Sequence, residues 1–280
     1  MANDSYSDND NSIKMPNQIS VTQLFIYPVK SLAGIALEQS DIDSMGLKYD
    51  RRWMVVSPEG QFITQRTVPK MALIATDITN GRLTLSTSNK DKHEVALTTT
   101  QSEQMDVVVW KDSLRVSRVG DAVDEWLSDV LGIACHLVYI EDHVVRQCDL
   151  AFSDEGERTG FADGFPILIV SEESLNDLNQ KLDTPVDMRR FRPNIVISGV
   201  EPFAEDQLTQ FSIGDIPMKG VKVCSRCPLT MNDPDLGERT SQEPIATLST
   251  YRKWDGNIFF GMNVIQQKQG RIKRGDVLKA

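Results

Sequence analysis

The chain has 280 residues, 40% of them hydrophobic, and a formal net charge of −10 with a pI near 4.9. Its length allows a substantial core in one large or two modest domains, and we expect two. Such an acidic chain argues against nucleic acid or an anionic membrane surface as a partner, because both attract a basic face. No apolar stretch approaches the roughly 18 residues that a membrane span requires, so we expect no integral membrane segment.

The cysteine content and the first residues of the chain indicate in which cellular compartment the protein lies. Four cysteines in a chain of this length do not make a disulfide scaffold, and no apolar signal region precedes the first predicted strand. We therefore expect a reducing, cytoplasmic location. Residues 1 to 18 are rich in Asp, Asn and Ser and have almost nothing to bury, which predicts a disordered tail.

Short apolar runs between turn residues predict strands in the first half of the chain. The predicted strands cover residues 21–27, 52–57, 61–65, 71–78, 83–86, 107–110 and 114–119. The pair Asn80-Gly81 tolerates positive backbone angles and predicts a tight two-residue hairpin. After Gly120 the pattern changes to a helix that Asp121 caps and Gly132 ends. One face of this helix carries Val123, Trp126, Leu127, Val130 and Leu131.

A charged segment over residues 141–160 has little apolar periodicity and predicts a long connection, where we place a domain boundary. Beyond it, Ser171 begins a predicted helix, and a second short helix is predicted near Glu243-Pro244 because proline suits the first helical turn. The apolar face of the first helix carries Leu175, Leu178 and Leu182. The predicted strands of this half cover residues 165–170, 194–198, 208–213, 216–223, 258–265 and 271–278.

These elements predict an α+β fold that is predominantly β, with only a few helices. Many strands and few helices favour barrel-like sheets, since closure removes exposed edges. After the tail over residues 1–18, we expect an N-terminal β-barrel-like domain over residues 19–140. A C-terminal β-barrel domain is expected over residues 141–280.

A Cys-Ser-Arg-Cys segment at residues 224–227 puts two thiols and a guanidinium where a predicted strand ends. Thiolates suit soft ions, so this segment points to zinc, copper, iron-sulfur or a heavier redox metal. A structural zinc needs four ligands, and Cys135 and Cys148 lack the spacing to complete it. A thioredoxin-type pair would need a helix directly after the motif. Because free cysteines most often pack as small apolar residues, we expect packing for Cys224 and function for Cys227.

Basic residues form a second group at the ends of predicted strands. They are Lys30, Arg51, Arg52, Arg66, Arg189, Arg190 and Arg192. If these side chains converge, they would bind phosphate or another dense anion through charge-assisted hydrogen bonds. A single arginine at a strand end is more often solvated or in a surface ion pair, and that alternative stays open. The histidines His93, His136 and His143 are scattered, and we interpret them as surface or packing residues.

Several segments together resemble a known family. They are Ile26-Tyr27-Pro28-Val29-Lys30-Ser31, Met45-Gly46-Leu47, Asp50-Arg51-Arg52-Trp53, Phe191-Arg192-Pro193-Asn194-Ile195-Val196-Ile197-Ser198-Gly199 and Cys224-Ser225-Arg226-Cys227. In this order they resemble the MOSC-domain molybdenum enzymes with an N-terminal β-barrel domain, the family of the mitochondrial amidoxime-reducing components and their bacterial relatives. The resemblance runs from about Val21 to the C-terminus, which makes it far more specific than two cysteines alone.

The resemblance implies a molybdenum cofactor whose metal is held by a pterin dithiolene and one protein thiolate. That thiolate would be Cys227, which is thus both the metal ligand and a catalytic residue. The positions that grip the pterin and its phosphate in relatives would be Lys30, Ser31, Arg51, Arg192, Asn194, Ser225 and Arg226. Asp163 matches a pocket-lining acid, and it could assist proton delivery as a second catalytic residue.

The implied activity is a two-electron removal of oxygen from an N-hydroxylated compound, such as a hydroxylamine or amidoxime, which leaves the reduced base and water. One alternative is a non-catalytic module that carries the molybdenum cofactor or sulfur, and another is an interaction domain with structural cysteines. At the level of the domain alone, the resemblance also implies pyridoxal phosphate binding and a role in detoxification.

The resemblance also sets expectations for partners. Some bacterial relatives carry a fused plant-type ferredoxin domain and the mitochondrial proteins carry a membrane anchor, and the 280 residues of this chain match neither. We therefore expect a small-molecule N-hydroxylated substrate and a separate electron-transfer protein that a reductase supplies.

Overall fold

The fold was analysed in a computed structural model that describes residues 18–97 and 103–280. Apart from residue 18, the predicted disordered tail lies outside the described residues. Strands of the first half are β1 Ser20–Ile26, β2 Ile35–Leu37, β3 Gln39–Asp43, β4 Gly46–Leu47, β5 Trp53–Val56, β6 Ala75–Thr79, β7 Arg82–Thr87, β8 Lys90–Ala96, β9 Gln104–Val109, β10 Asp112–Arg118 and β11 His136–Tyr139.

The second half adds further strands and two helices. Its strands are β12 Ile167–Ser171, β13 Ile195–Ser198, β14 Gln210–Ile213, β15 Ile216–Ser225, β16 Asn232–Asp233, β17 Glu238–Arg239, β18 Lys253–Trp254, β19 Asn257–Gln266, β20 Gly270–Lys273 and β21 Leu278–Lys279. The α-helices are α1 Asp121–Leu131, α2 Glu172–Asn179 and α3 Ile245–Tyr251, and short 3₁₀ helices cover Pro69–Leu73, Met188–Arg190, Ala204–Gln207 and Pro228–Met231.

The largest sheet has nine strands and joins the two ends of the chain. Its order is β2-β1-β13-β12-β19-β15-β14-β21, with β18 added beside β19. Strand β1 pairs antiparallel with β13, and β3 pairs antiparallel with β20 in a separate three-stranded sheet. The first strands of the chain are therefore built into the sheets of its second half, which brings residues near position 30 close to those near position 190.

Side chains on both faces of this sheet are buried, which explains the continuous β-branched runs in β12 and β13. In β13, Ile195 and Ile197 enter one core cluster while Val196 between them enters another. The second cluster also contains Leu178 of α2 and Leu248 of α3. The two helices therefore cover one face of the sheet, and strands outside this sheet pack against its other face.

A second region is built from the middle of the first half. Strands β5, β11, β10 and β9 form a four-stranded sheet, and β6, β7 and β8 form a three-stranded one. Helix α1 packs Leu127 into a core with Trp53 and Leu137. The predicted hairpin at Asn80-Gly81 is confirmed, since both residues have positive φ values of 53° and 73° between β6 and β7.

Some predicted boundaries were wrong. Residues 71–73 belong to a 3₁₀ helix that Pro69 begins, so the strand predicted over 71–78 starts only at Ala75. Residues 61–65 make two isolated β-bridges instead of a strand, and the strand predicted over 271–278 is two short strands separated by a turn.

Helix ends also differ from the prediction in two places. Gly120 occupies the N-cap of α1 and Asp121 is the first helical residue, so no side chain caps this helix. Ser171 does cap α2, with its side chain accepting from the Ser174 N–H. Leu182 lies beyond the end of α2, which stops at Asn179.

The predicted α+β fold with predominant β structure is confirmed. Between Tyr139 and Ile167 no helix or strand occurs, as predicted for the long connection. The domain bounds at residues 19, 140, 141 and 280 stay a prediction. Among the described residues, no helix has both the length and the apolar character needed to cross a membrane.

We predict that Gly220→Ala destabilises the protein by about 3 kcal/mol or more, because overpacking against backbone cannot relax. A Cβ at this position in β15 would lie 1.6 Å from the carbonyl oxygen of Leu208. The matched control is Gly164→Ala, where a Cβ meets nothing within 4 Å. Urea denaturation measures the free energy of unfolding of both variants. Equal values would show that Gly220 does not pack against the Leu208 carbonyl as described.

Candidate functional site

One cavity of about 350 Å³ opens where the first strands of the chain meet β15 and the loop before β12. All of the sequence-predicted site residues line it: Lys30, Ser31, Arg51, Asp163, Arg192, Asn194, Ser225, Arg226 and Cys227. These residues come from segments that are far apart in sequence, and the shared sheets bring them together. The structure thus places the predicted set in one location, while the role of each residue stays a prediction.

Two irregularities in β15 explain how successive residues line the same cavity. An ordinary strand turns alternate side chains to opposite faces, whereas bulges re-aim them. The pairing of β15 with β19 shifts register between Gly220 and Lys222 and again between Val223 and Ser225. As a result, all residues from Lys222 to Cys227 contribute to the cavity wall.

Cys227 lies at the point where β15 passes into a 3₁₀ helix. It occupies the N-cap of the helix Pro228–Met231, and its carbonyl oxygen accepts a hydrogen bond from the Thr230 hydroxyl at 3.1 Å. Proline at the first helical position fixes this turn. The half-buried Cys227 side chain is therefore held at the cavity wall by a rigid local structure.

Cys224 differs from its predicted role as a buried packing residue. It is half-buried and lines the cavity, although it also packs against the core cluster beneath α3. The Arg226 guanidinium donates from Nη1 to the Cys224 sulfur at 3.1 Å and from Nη2 to the Phe191 carbonyl at 2.7 Å. The bulge between Val223 and Ser225 accounts for the difference, because it turns the thiol toward the cavity.

Backbone strain is concentrated around this cavity. Eight non-glycine residues of the described chain have positive φ values, and four of them line the cavity: Ser31 at 69°, Arg51 at 46°, Trp110 at 58° and Arg192 at 55°. Each such residue costs on the order of 1 kcal/mol and persists only where the surroundings enforce it. Strain that collects at one cavity is the pattern expected of a functional site.

Lys30, Asp163 and Trp110 form a polar cluster at one side of the cavity. The Lys30 ammonium lies 2.6 Å from Asp163 Oδ1 and donates to the Phe161 carbonyl at 2.8 Å. Trp110 Nε1 donates to the same oxygen of Asp163 at 3.1 Å. Lys30 is buried, whereas the Asp163 side chain is 66% exposed. The carboxylate is therefore anchored through Oδ1 and open to solvent on its other side.

The charges in this cluster shift the pKa values of Asp163 and Lys30. Loss of water around its anchored oxygen raises the pKa of Asp163, but the Lys30 ammonium and the hydrogen bonds from Lys30 and Trp110 oppose this more strongly, so the pKa lies well below its ordinary value. Burial lowers the pKa of Lys30, and Asp163 counteracts this. At neutral pH Asp163 is ionised, so it can accept a proton but holds none to donate.

Arg51 is held by a buried network. Its Nη1 lies 2.7 Å from Asp50 Oδ2 and 3.1 Å from Asn194 Oδ1, and its Nη2 donates to the Arg192 carbonyl at 3.1 Å. Asn194 also accepts from the Leu168 N–H at 3.1 Å and donates to a carbonyl of β1. Asn194 therefore has its hydrogen-bonding groups occupied within the protein and acts by positioning Arg51.

Arg192 has no such network. Its Nη2 is buried and has no hydrogen-bond partner among the described residues. The Arg192 and Arg51 guanidinium carbons lie 4.1 Å and 4.2 Å from the centre of the Tyr27 ring. Burial and the repulsion from Arg51 lower the pKa of Arg192 to about 10. In a half-buried arginine whose Nη2 is buried without a partner and whose pKa is depressed, an anion would complete the surroundings of the guanidinium.

The arrangement fits a group that combines a soft metal with an anionic part. Arg226 Nε is a second buried donor without a partner in the described chain. Donors of this kind are costly to bury unless a ligand satisfies them. The Cys227 sulfur supplies a soft ligand in the same cavity.

Not every basic residue of the predicted group reaches this cavity. Arg66 does, and its guanidinium carbon lies 4.3 Å from the centre of the Trp110 ring. Arg52 instead binds the Ile140 carbonyl and Asp142. Arg189 and Arg190 pair with Asp235 and Asp233 and line a different cavity.

Two important residues were missed. Trp110 reads in sequence as the end of an ordinary strand, although a positive φ places it at the β9–β10 turn. The buried Arg146 donates to the Gly160 and Asp163 carbonyls and to Asp112, which holds the loop that carries Asp163. Arg146 lies in the charged segment predicted as a long connection, where the sequence does not distinguish it from solvent-exposed neighbours.

The remaining cysteines and histidines lie away from the cavity. Cys135 and Cys148 are buried, as packing requires, and burial raises the pKa of both thiols. His136 contacts Asp124 at 2.7 Å. Within residues 18–97 and 103–280, no group of three or more His, Cys, Asp or Glu side chains is placed to hold a metal ion.

The fold and the cavity define a class of two-part β protein in which a thiol and several cations face one pocket. The MOSC N-terminal beta barrel domain matches residues 18–134, and the MOSC domain matches residues 156–279. The chain is 34% identical to mouse mitochondrial amidoxime-reducing component 1 and 35% identical to the human protein of that name, over 92% of this chain and 81% of each relative.

A third relative has another name. The molybdenum cofactor sulfurase of rice is 33% identical over 90% of this chain, which spans 33% of that protein. From these matches the chain belongs to the family of two-domain MOSC proteins that includes the mitochondrial amidoxime-reducing components.

We predict that Lys30→Met raises the pKa of Asp163 toward the ordinary aspartate value of about 3.9, because the ammonium that lowers it is removed. Trp110→Phe removes one hydrogen bond and no charge, so its effect should have the same direction and be smaller. Carboxyl ¹³C NMR titration of aspartate-labelled protein measures both. An unchanged Asp163 titration in Lys30→Met would contradict the ion pair.

Proposed function

We propose that this protein is a molybdenum-cofactor-dependent reductase of N-hydroxylated compounds. The observation that carries the proposal is the joint position of the Cys227 thiol and the unpartnered Arg192 guanidinium on one cavity. Relatives named amidoxime-reducing components, which align over 92% of this chain, support the same reaction class.

In this proposal Cys227 holds the metal of the cofactor through its thiolate. Lys30, Ser31, Arg51 and Arg192 bind the cofactor phosphate, Ser225 and Arg226 orient the pterin, and Asn194 contributes by positioning Arg51. The cofactor, when bound, supplies two-electron chemistry that takes an oxygen from nitrogen. The protein supplies the anion-binding charges, the thiolate and a cavity whose shape is maintained by strained backbone.

Asp163 is proposed to manage protons at the mouth of the cavity. Oxygen removal as water consumes two protons, and an ionised carboxylate at the cavity mouth can orient a water molecule that relays protons inward without holding a proton itself. Its Oδ1 is fixed by Lys30 and Trp110, which leaves Oδ2 to accept the hydrogen bond from that water. The 66% exposure of the side chain supports contact with bulk water.

The electron source is proposed to be a separate electron-transfer protein supplied by a reductase. The physiological substrate is proposed to be a small N-hydroxylated molecule, and the location to be cytoplasmic. A role in carrying the cofactor or its sulfur is the second candidate. The observation that favours it is the 33% identity to a rice molybdenum cofactor sulfurase.

We predict that Cys227→Ser loses most of its bound molybdenum, because a hydroxyl is a poor ligand for a soft metal. Cys224→Ser is the matched control, since both thiols line the same cavity three residues apart. It should keep most of the metal present in the unmodified protein. Elemental analysis of the purified proteins checks this, and equal molybdenum in all three would exclude Cys227 as the ligand.

We predict that the cofactor-loaded protein reduces a hydroxylamine with an artificial one-electron reductant and does not do so with NADH alone. A carrier should give no turnover with either electron source. Measuring product amine under both conditions separates the two candidates. Turnover with NADH and no second protein would show that the proposed electron route is wrong.

A further inference from the structure

Two cations in the wall of the cavity that Cys227 lines have no part in the proposed binding of the cofactor. They are Arg66 and Lys222. Asp163 is the one carboxylate of that wall within the described residues, and it already pairs with Lys30. Positive charge therefore remains in the wall after the cofactor phosphate has been assigned to other side chains.

Arginines without a carboxylate partner are concentrated at this cavity. Eleven of the 16 arginines form an ion pair with Asp or Glu in the described chain. Three of the other five, Arg66, Arg192 and Arg226, line the cavity. The chain has 40 acidic and 30 basic residues, so carboxylates are abundant. Unpaired guanidinium groups in one place therefore favour a ligand that brings negative charge.

Arg66 is held in position by neutral neighbours. Its Nε donates to the Thr64 hydroxyl at 3.4 Å. Its guanidinium carbon lies 4.3 Å from the centre of the Trp110 ring and 5.7 Å from that of the Phe62 ring. No acceptor of the described chain binds its Nη1 or Nη2. Because the aromatic rings hold the guanidinium without using these donors, they remain free for an anionic group of a ligand.

Lys222 is also held by aromatic side chains. A register shift of β15 directly before Lys222 places this residue in the cavity wall. Its ammonium lies 4.6 Å from the centre of the Phe152 ring, and Phe152 packs edge-on against Phe165, which lines the cavity. Lys222 makes no ion pair within the described chain. Its charge is therefore fixed at the cavity and is not neutralised there.

We propose that Arg66 and Lys222 bind an anionic group of the substrate, so that the protein prefers N-hydroxylated compounds that carry a carboxylate or a similar anion. This inference rests on the proposed reductase function and names the substrate class of the same cavity. Arg66 is half-buried and Lys222 is exposed, so water and salt weaken their attraction for the anion. The expected preference is therefore about tenfold, well below that of a buried ion pair.

The test compares 4-carboxybenzamidoxime with 4-carbamoylbenzamidoxime, which have nearly the same shape and differ by one negative charge. With the cofactor-loaded protein and an artificial one-electron reductant, we expect kcat/KM to be about tenfold higher for the carboxylate, through a lower KM. Raising the ionic strength from about 0.05 M to about 0.5 M should reduce the preference, because salt screens exposed charges. Equal kcat/KM values at low salt would overturn the proposal.

Variants locate the bound anion. Arg66→Met and Lys222→Met each remove one charge, and each should lower the ratio of the two kcat/KM values about threefold. Arg66→Lys keeps the charge and should restore most of the ratio, which a loss of packing alone would not do. Lys273→Met, the matched control, removes an exposed lysine of β20 outside the cavity and should leave the ratio unchanged. An unchanged ratio in both cavity variants would contradict the assignment.

A binding measurement separates this inference from the proposed function. Calorimetric titration of the oxidised, cofactor-loaded protein without reductant should give about tenfold tighter binding of 4-carboxybenzamidoxime than of the carboxamide. If neither amidoxime is reduced and this difference in affinity is found, the proposed function is wrong and the anion site is supported. If both are reduced but are bound equally, the reductase function is supported and the anion site is wrong.

Discussion

Uncompensated positive charge in one cavity is the constraint on which the rest of the site depends. Asp50 forms an ion pair with Arg51, and Asp163 forms one with Lys30. Among the described residues, Arg192 therefore lies beside cations without a carboxylate partner. The pKa values of Lys30 and Arg192 are both depressed in consequence of burial. A protein of net charge −10 that keeps these cations together is built to receive an anion there.

Rigidity of the backbone turns this charge into a specific site. Ser31, Arg51 and Arg192 adopt left-handed backbone conformations. A register shift in β15 turns Cys224 toward the cavity, and the 3₁₀ helix Pro228–Met231 holds Cys227 at the cavity wall. The shared sheets hold these segments, because β1 pairs with β13 and so joins the first half of the chain to the second. Local strain, strand irregularity and long-range pairing thus act on the same few side chains.

The sequence predicts most of this fold and the membership of the site, because apolar periodicity, turn pairs such as Asn80-Gly81 and the ordered motifs are local signals. It does not predict features that depend on tertiary contacts. Cys224 faces the cavity because of a bulge, and Trp110 reaches Asp163 through a strained turn. Arg146 is buried by a loop whose composition resembles solvated chain. Each exception reflects an interaction between residues distant in sequence.

The most direct test of the account concerns the sulfur of Cys227. Cys227→selenocysteine, introduced into the cofactor-loaded protein, puts a single distinguishable atom at the position of the proposed ligand. X-ray absorption at the selenium edge should then show molybdenum as a direct neighbour. A selenium atom surrounded only by carbon, with molybdenum present in the same sample, would contradict the central claim.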